Sequence, residues 1–398
     1  IEQGLVDWSR EDDWSPTAMS AKDYRKLFDD LLPRCCAEEA PAAIYWPGSP
    51  HTPVGERSNW NDPASGDAHC WTVWFGGEAF ESQRGWTHRF MSEFGFQSFP
   101  EPATCDSFTA PEDRNLTSYI MDYHQRSKGN GNKKIFGYLL DWFQVPKNYH
   151  EQLWMTQLTQ ALCIQYAAEH SRRMQPRMMG CVYWQLNDLW PAATWSSIDV
   201  YGRWKALQYF AARFFAPILV SGVEDLEAGS VAIHVSNQRP EPVRVRVRWQ
   251  ATRCDGSPLA EGSAEGEVAT QTDEQLVVAD CAGLRQEVGD RDLLVWLSAE
   301  ADGRVASRNL VTFARPKHLL LAPPVLTTRV EDGALVIHSD RPALWTRLQV
   351  DGQPDLRFDD NFFHLAADEE RRIGYHGSAT IDIIRQGLRA TSLVDSWC

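Results

Sequence analysis

Between residues 243 and 249 the chain alternates strictly. Val243, Val245, Val247 and Trp249 are apolar, and Arg244, Arg246 and Arg248 between them are charged. A period of two turns one set inward and the other outward, which predicts a half-buried strand with a solvated basic face. An arginine stripe on one strand face needs no ligand. Cys254-Asp255-Gly256 follows as a turn signal, and Leu293–Leu297 and Val311–Phe313 read as further strands. Several short strands over residues 216–316 predict a β-sandwich. The same texture returns over 317–398. There Leu335–Ile337, Leu344–Val350, Arg371–Tyr375 and Ala379–Ile384 are strand candidates, with turns at Asp332-Gly333 and Asp351-Gly352. Leu319-Leu320-Leu321-Ala322-Pro323-Pro324 reads as the junction between two sandwiches.

Residues 1–215 follow another rhythm. Ser20 can cap a helix that carries Tyr24, Leu27, Phe28, Leu31 and Leu32 at spacings of three and four. Asn115 can cap a second helix reaching about Arg126. A third runs from about Tyr149 to Met174 with Leu153, Leu158, Leu162 and Tyr166 inward. Gly129-Asn130-Gly131-Asn132, followed by Lys133 and Lys134, reads as a loop. Short apolar runs lie among these helices: Ala42–Tyr45, Ala68–Val73, Arg89–Ser92 and Gly180–Gln185. Each gives way to polar, Gly or Pro residues. Strand followed by helix, repeated, predicts parallel β/α units.

The length of 398 residues corresponds to roughly two to three domains. Lys and Arg number 39 against 54 Asp and Glu, a net charge of −15. That balance argues against nucleic acid or an anionic membrane as partner, since both demand a basic face. No apolar run approaches the ~20 residues of a membrane-spanning helix. The 17 Trp residues are a heavy load that must fill cores or stack on flat apolar surfaces such as the C–H faces of sugars. Nine cysteines without repeated spacing, C-x-x-C or zinc pattern read as free, mostly buried thiols, which favours a reducing compartment; Cys254 and Cys281 share one domain and could bridge.

Motifs for serine hydrolases, P-loop proteins, dinucleotide binders and zinc proteases are absent. Carboxylates and aromatics remain. Glu93 stands where the apolar run of Arg89-Phe90-Met91-Ser92 gives out, and a carboxylate at the C-terminal end of a parallel barrel strand points into the mouth where barrels keep their active sites. A structural ion pair or helix cap is the competing use of such a Glu. Tyr183-Trp184-Gln185-Leu186-Asn187-Asp188-Leu189-Trp190-Pro191 also follows an apolar run. An indole beside amides and carboxylates suits a sugar site, with a flat face for the ring and polar forks for hydroxyls. The same residues would equally make core and turn.

These segments carry a family resemblance. Ser92-Glu93-Phe94-Gly95-Phe96-Gln97-Ser98 resembles the nucleophile segment of β-mannosidases of glycoside hydrolase family two. Gly66-Asp67-Ala68-His69-Cys70-Trp71-Thr72-Val73-Trp74 resembles their strand-six segment, and Tyr183–Asp188 their strand-eight segment. Thr194–Asp199, Gly202–Leu207 and Asp360-Asn361-Phe362-Phe363 continue the likeness into the closing helix and the last sandwich. The resemblance implies a fold of α/β plus all-β class: the C-terminal half of a (β/α)8 TIM barrel, strands five to eight, over 1–215, then immunoglobulin-like sandwiches at 216–316 and 317–398. Counting back from Glu93 by the family spacing puts the acid/base Glu at or just before Ile1. The missing N-terminal half of the barrel is then an implied partner of this chain. One position departs from the pattern: Phe75 stands where relatives place a Tyr or His near the nucleophile.

The resemblance implies a retaining double displacement on terminal non-reducing β-D-mannose, with a β-mannoside oligosaccharide or glycan as substrate. Glu93 would be the nucleophile. Trp184 would be the floor of the sugar site, with Trp8, Trp71, His69, Asn187 and Asp188 as further substrate contacts. Retention requires carboxyl groups about 5–5.5 Å apart, with pKa values pushed apart. No metal or organic cofactor is required by this chemistry. An exo-β-glucosaminidase or β-galactosidase would keep the fold and the nucleophile; a non-catalytic carbohydrate- or partner-binding fragment would need only the sandwiches.

Overall fold

The computed structural model describes residues 5–10, 17–53, 57–127 and 129–397. The chain divides into two compact units, Ile1–Gly95 with Met174–Trp184, and Phe96–Arg173 with Gln185–Cys398.

In the first unit, β1 (Val6–Asp7) pairs in parallel with β2 (Met19–Ser20). Ser20 is the expected cap: its hydroxyl accepts from Asp23 N at 3.1 Å. The helix continues to Glu39 but widens to π-helical winding over Arg25–Leu31, and this shifts the apolar stripe. Tyr24 is buried, whereas Leu31 is exposed. Ala42–Tyr45 is not the strand its composition predicts. Pro41, Pro47 and Pro50 withdraw ladder donors around it, Ala43 N turns back to Ala40 O, and Ile44 is 95% exposed. The other three apolar runs do form strands: β3 (Ala68–His69), β4 (Met91–Phe94) and β5 (Cys181–Tyr183), in the order β3-β4-β5 and all parallel. β3 is shorter than its sequence suggests. After Cys70 N reaches Glu93 O at 2.8 Å, the chain coils into turns closed by Phe75 N to Trp71 O.

In the second unit, the long helix spans Tyr149–Arg173 and buries Leu153, Leu158 and Leu162. Ser118, not Asn115, caps a helix limited to Tyr119–Tyr123. Asn115 Oδ1 is taken by Thr117 N and Oγ1 in a local turn. The expected loop at Gly129–Lys134 instead starts a helix over Gly131–Trp142. Asn130, with φ of 64°, makes the entry, and Ile135, Tyr138, Leu139 and Trp142 give the buried face.

Seven antiparallel strands follow: β6 (Ile218–Asp225), β7 (Ser230–Asn237), β8 (Val243–Thr252), β9 (Pro258–Val268), β10 (Thr272–Asp280), β11 (Leu294–Ala301) and β12 (Arg304–Thr312). They build sheets ordered β10-β7-β6 and β12-β11-β8-β9. Val243, Val245 and Val247 point into one core with Val231, Ile233, Val235, Val295 and Leu297, as the alternation requires. The arginines between them face outward.

The last part holds β13 (Leu326–Glu331), β14 (Ala334–Ser339), β15 (Ala343–Val350), β16 (Arg357–Phe358), β17 (Phe363–Leu365), β18 (Glu370–Ile373), β19 (Tyr375–His376) and β20 (Leu388–Thr391). Asp332 and Gly333 both have positive φ, the hairpin turn their dipeptide predicts. Ala379–Ile384 is not a strand. Thr380 Oγ1 caps a helix over Ile381–Gly387, and Asp382 sits favourably in its first turn. Cys254 and Cys281 are free, buried thiols.

Candidate active site

Parallel pairing brings the C-terminal ends of β3, β4 and β5 side by side. His69 pairs with Glu93, Phe94 with Tyr183, and Trp184 N donates to Phe94 O at 2.7 Å. Glu93 Oε1 accepts the Trp71 indole N–H at 3.0 Å and lies 3.6 Å from His69 Nδ1. Among the described residues no hydrogen bond engages Glu93 Oε2, so one carboxylate oxygen is held by Trp71 and the other accepts none. The Glu93 side chain is 25% exposed, as a reagent-facing group must be.

His69 is oriented from behind. Its backbone is clamped by the Asn61 side chain, with Asn61 Nδ2 donating to His69 O at 2.6 Å and His69 N donating to Asn61 Oδ1 at 2.8 Å. Its Nε2 lies 2.9 Å from Ser49 Oγ, and Ser49 Oγ donates to Asp67 Oδ2 at 2.6 Å. Asp67 also accepts from Ser92 Oγ at 2.5 Å, Trp46 Nε1 at 3.0 Å and His51 N at 2.9 Å. Burial pushes the Asp67 carboxyl up, but the hydrogen bonds led by Ser49 and Ser92 outweigh it and hold the group below its ordinary value. An ionised Asp67 has no proton to give, so the Ser49 hydroxyl must donate to it. Ser49 then accepts from His69 Nε2–H. That chain of donors fixes the tautomer: neutral His69 carries its proton on Nε2 and turns a bare Nδ1 toward Glu93. Burial lowers the His69 pKa, against the opposing pull of Glu93 and Asp67, so near pH 7 the ring is neutral and does not discharge the carboxylate beside it.

Gly66 shapes the start of this network. Its φ is +73°, and a Cβ there would lie 1.8 Å from His51 O. Gly66→Ala is expected to lower stability by about 2 kcal/mol or more through backbone strain and to displace the His51–Asp67 contact. Thermal unfolding of the full-length protein checks this; an unchanged Tm would contradict the tightness of the turn.

Trp184 is 45% exposed and sits one residue beyond the partner of Phe94, so its ring is available as a platform. Trp71 and His69 reach Glu93 directly. Phe75 is 52% exposed and packs its ring 5.4 Å from Trp71, so it supports the indole instead of bonding the carboxylate. Trp8 behaves differently from expectation: it packs on Tyr24 at 5.3 Å and under the Arg57 guanidinium, and no described contact links it to Glu93. In the second unit, Asn187 is exposed, and Asp188 Oδ2 accepts from Thr194 Oγ1 at 2.9 Å and Ser196 Oγ at 2.6 Å, bracing its own loop. Sequence reasoning quoted Asp67 and Ser92 within motifs but gave them no role, and it did not single out Ser49. The signal for them was three small polar or acidic residues flanking the strand ends that carry His69 and Glu93.

Residues 229–318 match the family model for a mannosidase Ig/CBM-like domain, and 321–396 match that for a mannosidase Ig-fold domain. Among curated proteins, β-mannosidase B of Aspergillus fumigatus is 32% identical over 231 residues, which is 55% of this chain and 26% of the relative. β-Mannosidase B of Neosartorya fischeri matches with the same identity and coverage. Among solved structures, a β-D-mannosidase from Dictyoglomus thermophilum superposes with a TM-score of 0.83 at 24% identity, over 92% of this chain and 44% of that one. The chain is similar to β-mannosidases. An exo-chitosanase from Amycolatopsis orientalis superposes less closely, with a TM-score of 0.59 at 17% identity over 76% of this chain and 42% of that one. The chain spans about a quarter of the length of the curated relatives it matches.

Proposed function

We propose that this chain belongs to a retaining exo-glycosidase that removes terminal non-reducing β-D-mannose, with Glu93 as nucleophile. The observation that carries the reading is the Glu93 carboxylate itself. It stands at the end of the middle parallel strand, with one oxygen held by Trp71, the other accepting no hydrogen bond among the described residues, and the exposed Trp184 ring on the neighbouring strand end. Glu93 Oε2 attacks the anomeric carbon, the aglycone oxygen leaves with a proton from a general acid, and water later cleaves the glycosyl ester. Trp184 supplies the stacking face; Trp71 and His69 orient the nucleophile and meet the sugar. Trp8, Asn187 and Asp188 are assigned as further substrate contacts by the family resemblance alone.

Asp67 cannot be the general acid, because its hydrogen bonds hold it ionised. On the family spacing that the sequence resemblance implies, the reading assigns the acid/base carboxyl to polypeptide outside residues 1–398, and treats 1–215 as strands five to eight of a barrel completed by that polypeptide. The immunoglobulin-like domains are assigned to 216–316 and 317–398. The full-length gene product assayed on nitrophenyl β-mannoside, β-glucosaminide and β-galactoside tests the sugar. The mannoside is expected to have the highest kcat/KM; preference for another sugar would overturn that part. Trp184→Ala is expected to raise KM and lower kcat together, each about tenfold or more, since stacking both binds and aligns the ring. A variant with both constants unchanged would remove Trp184 from the site.

A further inference from the structure

A second cleft lies within the Phe96–Arg173 and Gln185–Cys398 unit, remote in sequence from the Glu93 motif. It is a cavity of about 510 Å³ between the outward face of the β12-β11-β8-β9 sheet, the helices over Tyr149–Arg173 and Ala206–Phe214, and β17. This is well within the ~300–1,000 Å³ of ligand pockets and larger than one sugar ring needs.

Register fixes its floor. Across the sheet, Arg308, Ser298, Arg248 and Ser263 form one row, and Leu310, Trp296, Gln250 and Glu261 the next. These are the positions between the core-facing ones, so they stand on the sheet's outer surface. Trp296 is partly exposed, and its indole N–H donates to Thr252 Oγ1 at 3.0 Å, which sets the ring in place before any ligand arrives. Arg248 and Arg308 flank Ser298. Arg248 makes one contact to Glu300 at 3.1 Å and Arg308 one to Glu369 at 3.9 Å, and each side chain is 54% exposed, so most of their N–H groups remain available. Phe363 and His364 of β17 form part of the opposite wall. Trp345 N donates to His364 Nδ1 at 3.3 Å.

The chemistry of the lining selects the ligand. An anion would want guanidinium groups unopposed, but Glu169, Glu261 and Glu369 share the cavity with them. An apolar ligand would leave those charges and Gln250, Ser263 and Ser298 facing it unpaired. A neutral polyol uses both signs: hydroxyls donate to the carboxylates and accept from the guanidiniums, while a C–H face stacks on a fixed indole. We propose that this cleft binds a short neutral oligosaccharide, with one ring on Trp296 and its hydroxyls on Arg248, Arg308, Gln250 and Glu261. The site would hold a glycan on the enzyme without cleaving it. It stands whether or not Glu93 is the nucleophile.

Calorimetric titration of the full-length protein carrying Glu93→Gln tests this, with β-1,4-mannotriose, cellotriose and chitotriose as probes. At least one is expected to bind at an event that Trp184→Ala leaves within twofold. Trp296→Ala and the half-exposed Arg308→Ala should each weaken that event by about tenfold or more. In the otherwise wild-type protein, neither change should alter kcat on an aryl glycoside by more than about twofold. No binding of any probe up to about 10 mM, binding that Trp184→Ala abolishes while Trp296→Ala does not affect it, or binding of inorganic sulfate at Arg308 in place of the sugars would each overturn the proposal.

Discussion

Glu93→Gln in the full-length protein is expected to lower kcat by about 10³-fold or more and to leave folding intact. The substitution is nearly isosteric. A Gln oxygen can still accept the Trp71 indole N–H that Glu93 Oε1 accepts at 3.0 Å, and the backbone bond from Cys70 N to residue 93 does not involve the side chain. The lost element is the anionic oxygen that would form the glycosyl ester. Losing a covalent route costs several kcal/mol, and each 1.4 kcal/mol is about tenfold in rate. The neighbours sharpen the effect. His69 is neutral near pH 7 and turns a lone pair toward residue 93, so it offers no alternative nucleophile activated by charge. Steady-state kinetics with circular dichroism checks the prediction. Retention of more than about a tenth of wild-type kcat in a folded variant would remove Glu93 as nucleophile.

Residues 1–398 expressed alone are expected to give less than about 10⁻³ of the full-length rate on a nitrophenyl β-mannoside. The reason is the lack of a proton donor for the leaving group. Among the described residues the only other carboxylate in the Glu93 cluster is Asp67, and its donors keep it ionised. A leaving group that needs protonation therefore stays on the sugar. The strand count also matters: the described residues give a three-stranded parallel sheet, β3-β4-β5, and on the proposed reading the rest of the barrel that would cover its inner face lies outside this chain. Poor solubility is the expected companion result. Two assays separate the causes. If the chain folds but lacks only the acid, a dinitrophenyl mannoside, whose leaving group needs no proton, should react, and added azide should accelerate release. A soluble chain with full activity on the nitrophenyl substrate would contradict the assignment of the acid outside this sequence.

The sequence exposed the sandwiches most clearly, because the signals there are short-range. Val243, Val245 and Val247 alternate with arginines, and Asp332-Gly333 adopts the positive φ values its composition demands. Helices were harder where capping competed. Asn115 and Ser118 are both good caps, and only the structure shows that Asn115 is occupied by Thr117. Gly129–Lys134 hid a helix because its glycines and lysines masked the spacing of Ile135, Tyr138, Leu139 and Trp142. Ala42–Tyr45 had strand composition, but prolines on both sides outweighed it. Motif position singled out Glu93, Trp71, His69 and Trp184, and parallel pairing brings them to neighbouring strand ends. The Asp67–Ser49–His69 relay was not legible, since it joins residues that lie apart in sequence and meet only when the strands pair in parallel.

The most direct test of the central claim is to incubate the full-length protein with 2-deoxy-2-fluoro-β-D-mannosyl fluoride and locate the adduct by peptide mass spectrometry. Fluoride leaves without a proton, and the 2-fluoro group slows hydrolysis of the ester, so the intermediate should accumulate. The account predicts one sugar per chain, on the peptide containing Ser92-Glu93-Phe94, and no labelling of the Glu93→Gln variant. A label on any other carboxylate, or inactivation without a label on Glu93, would contradict it.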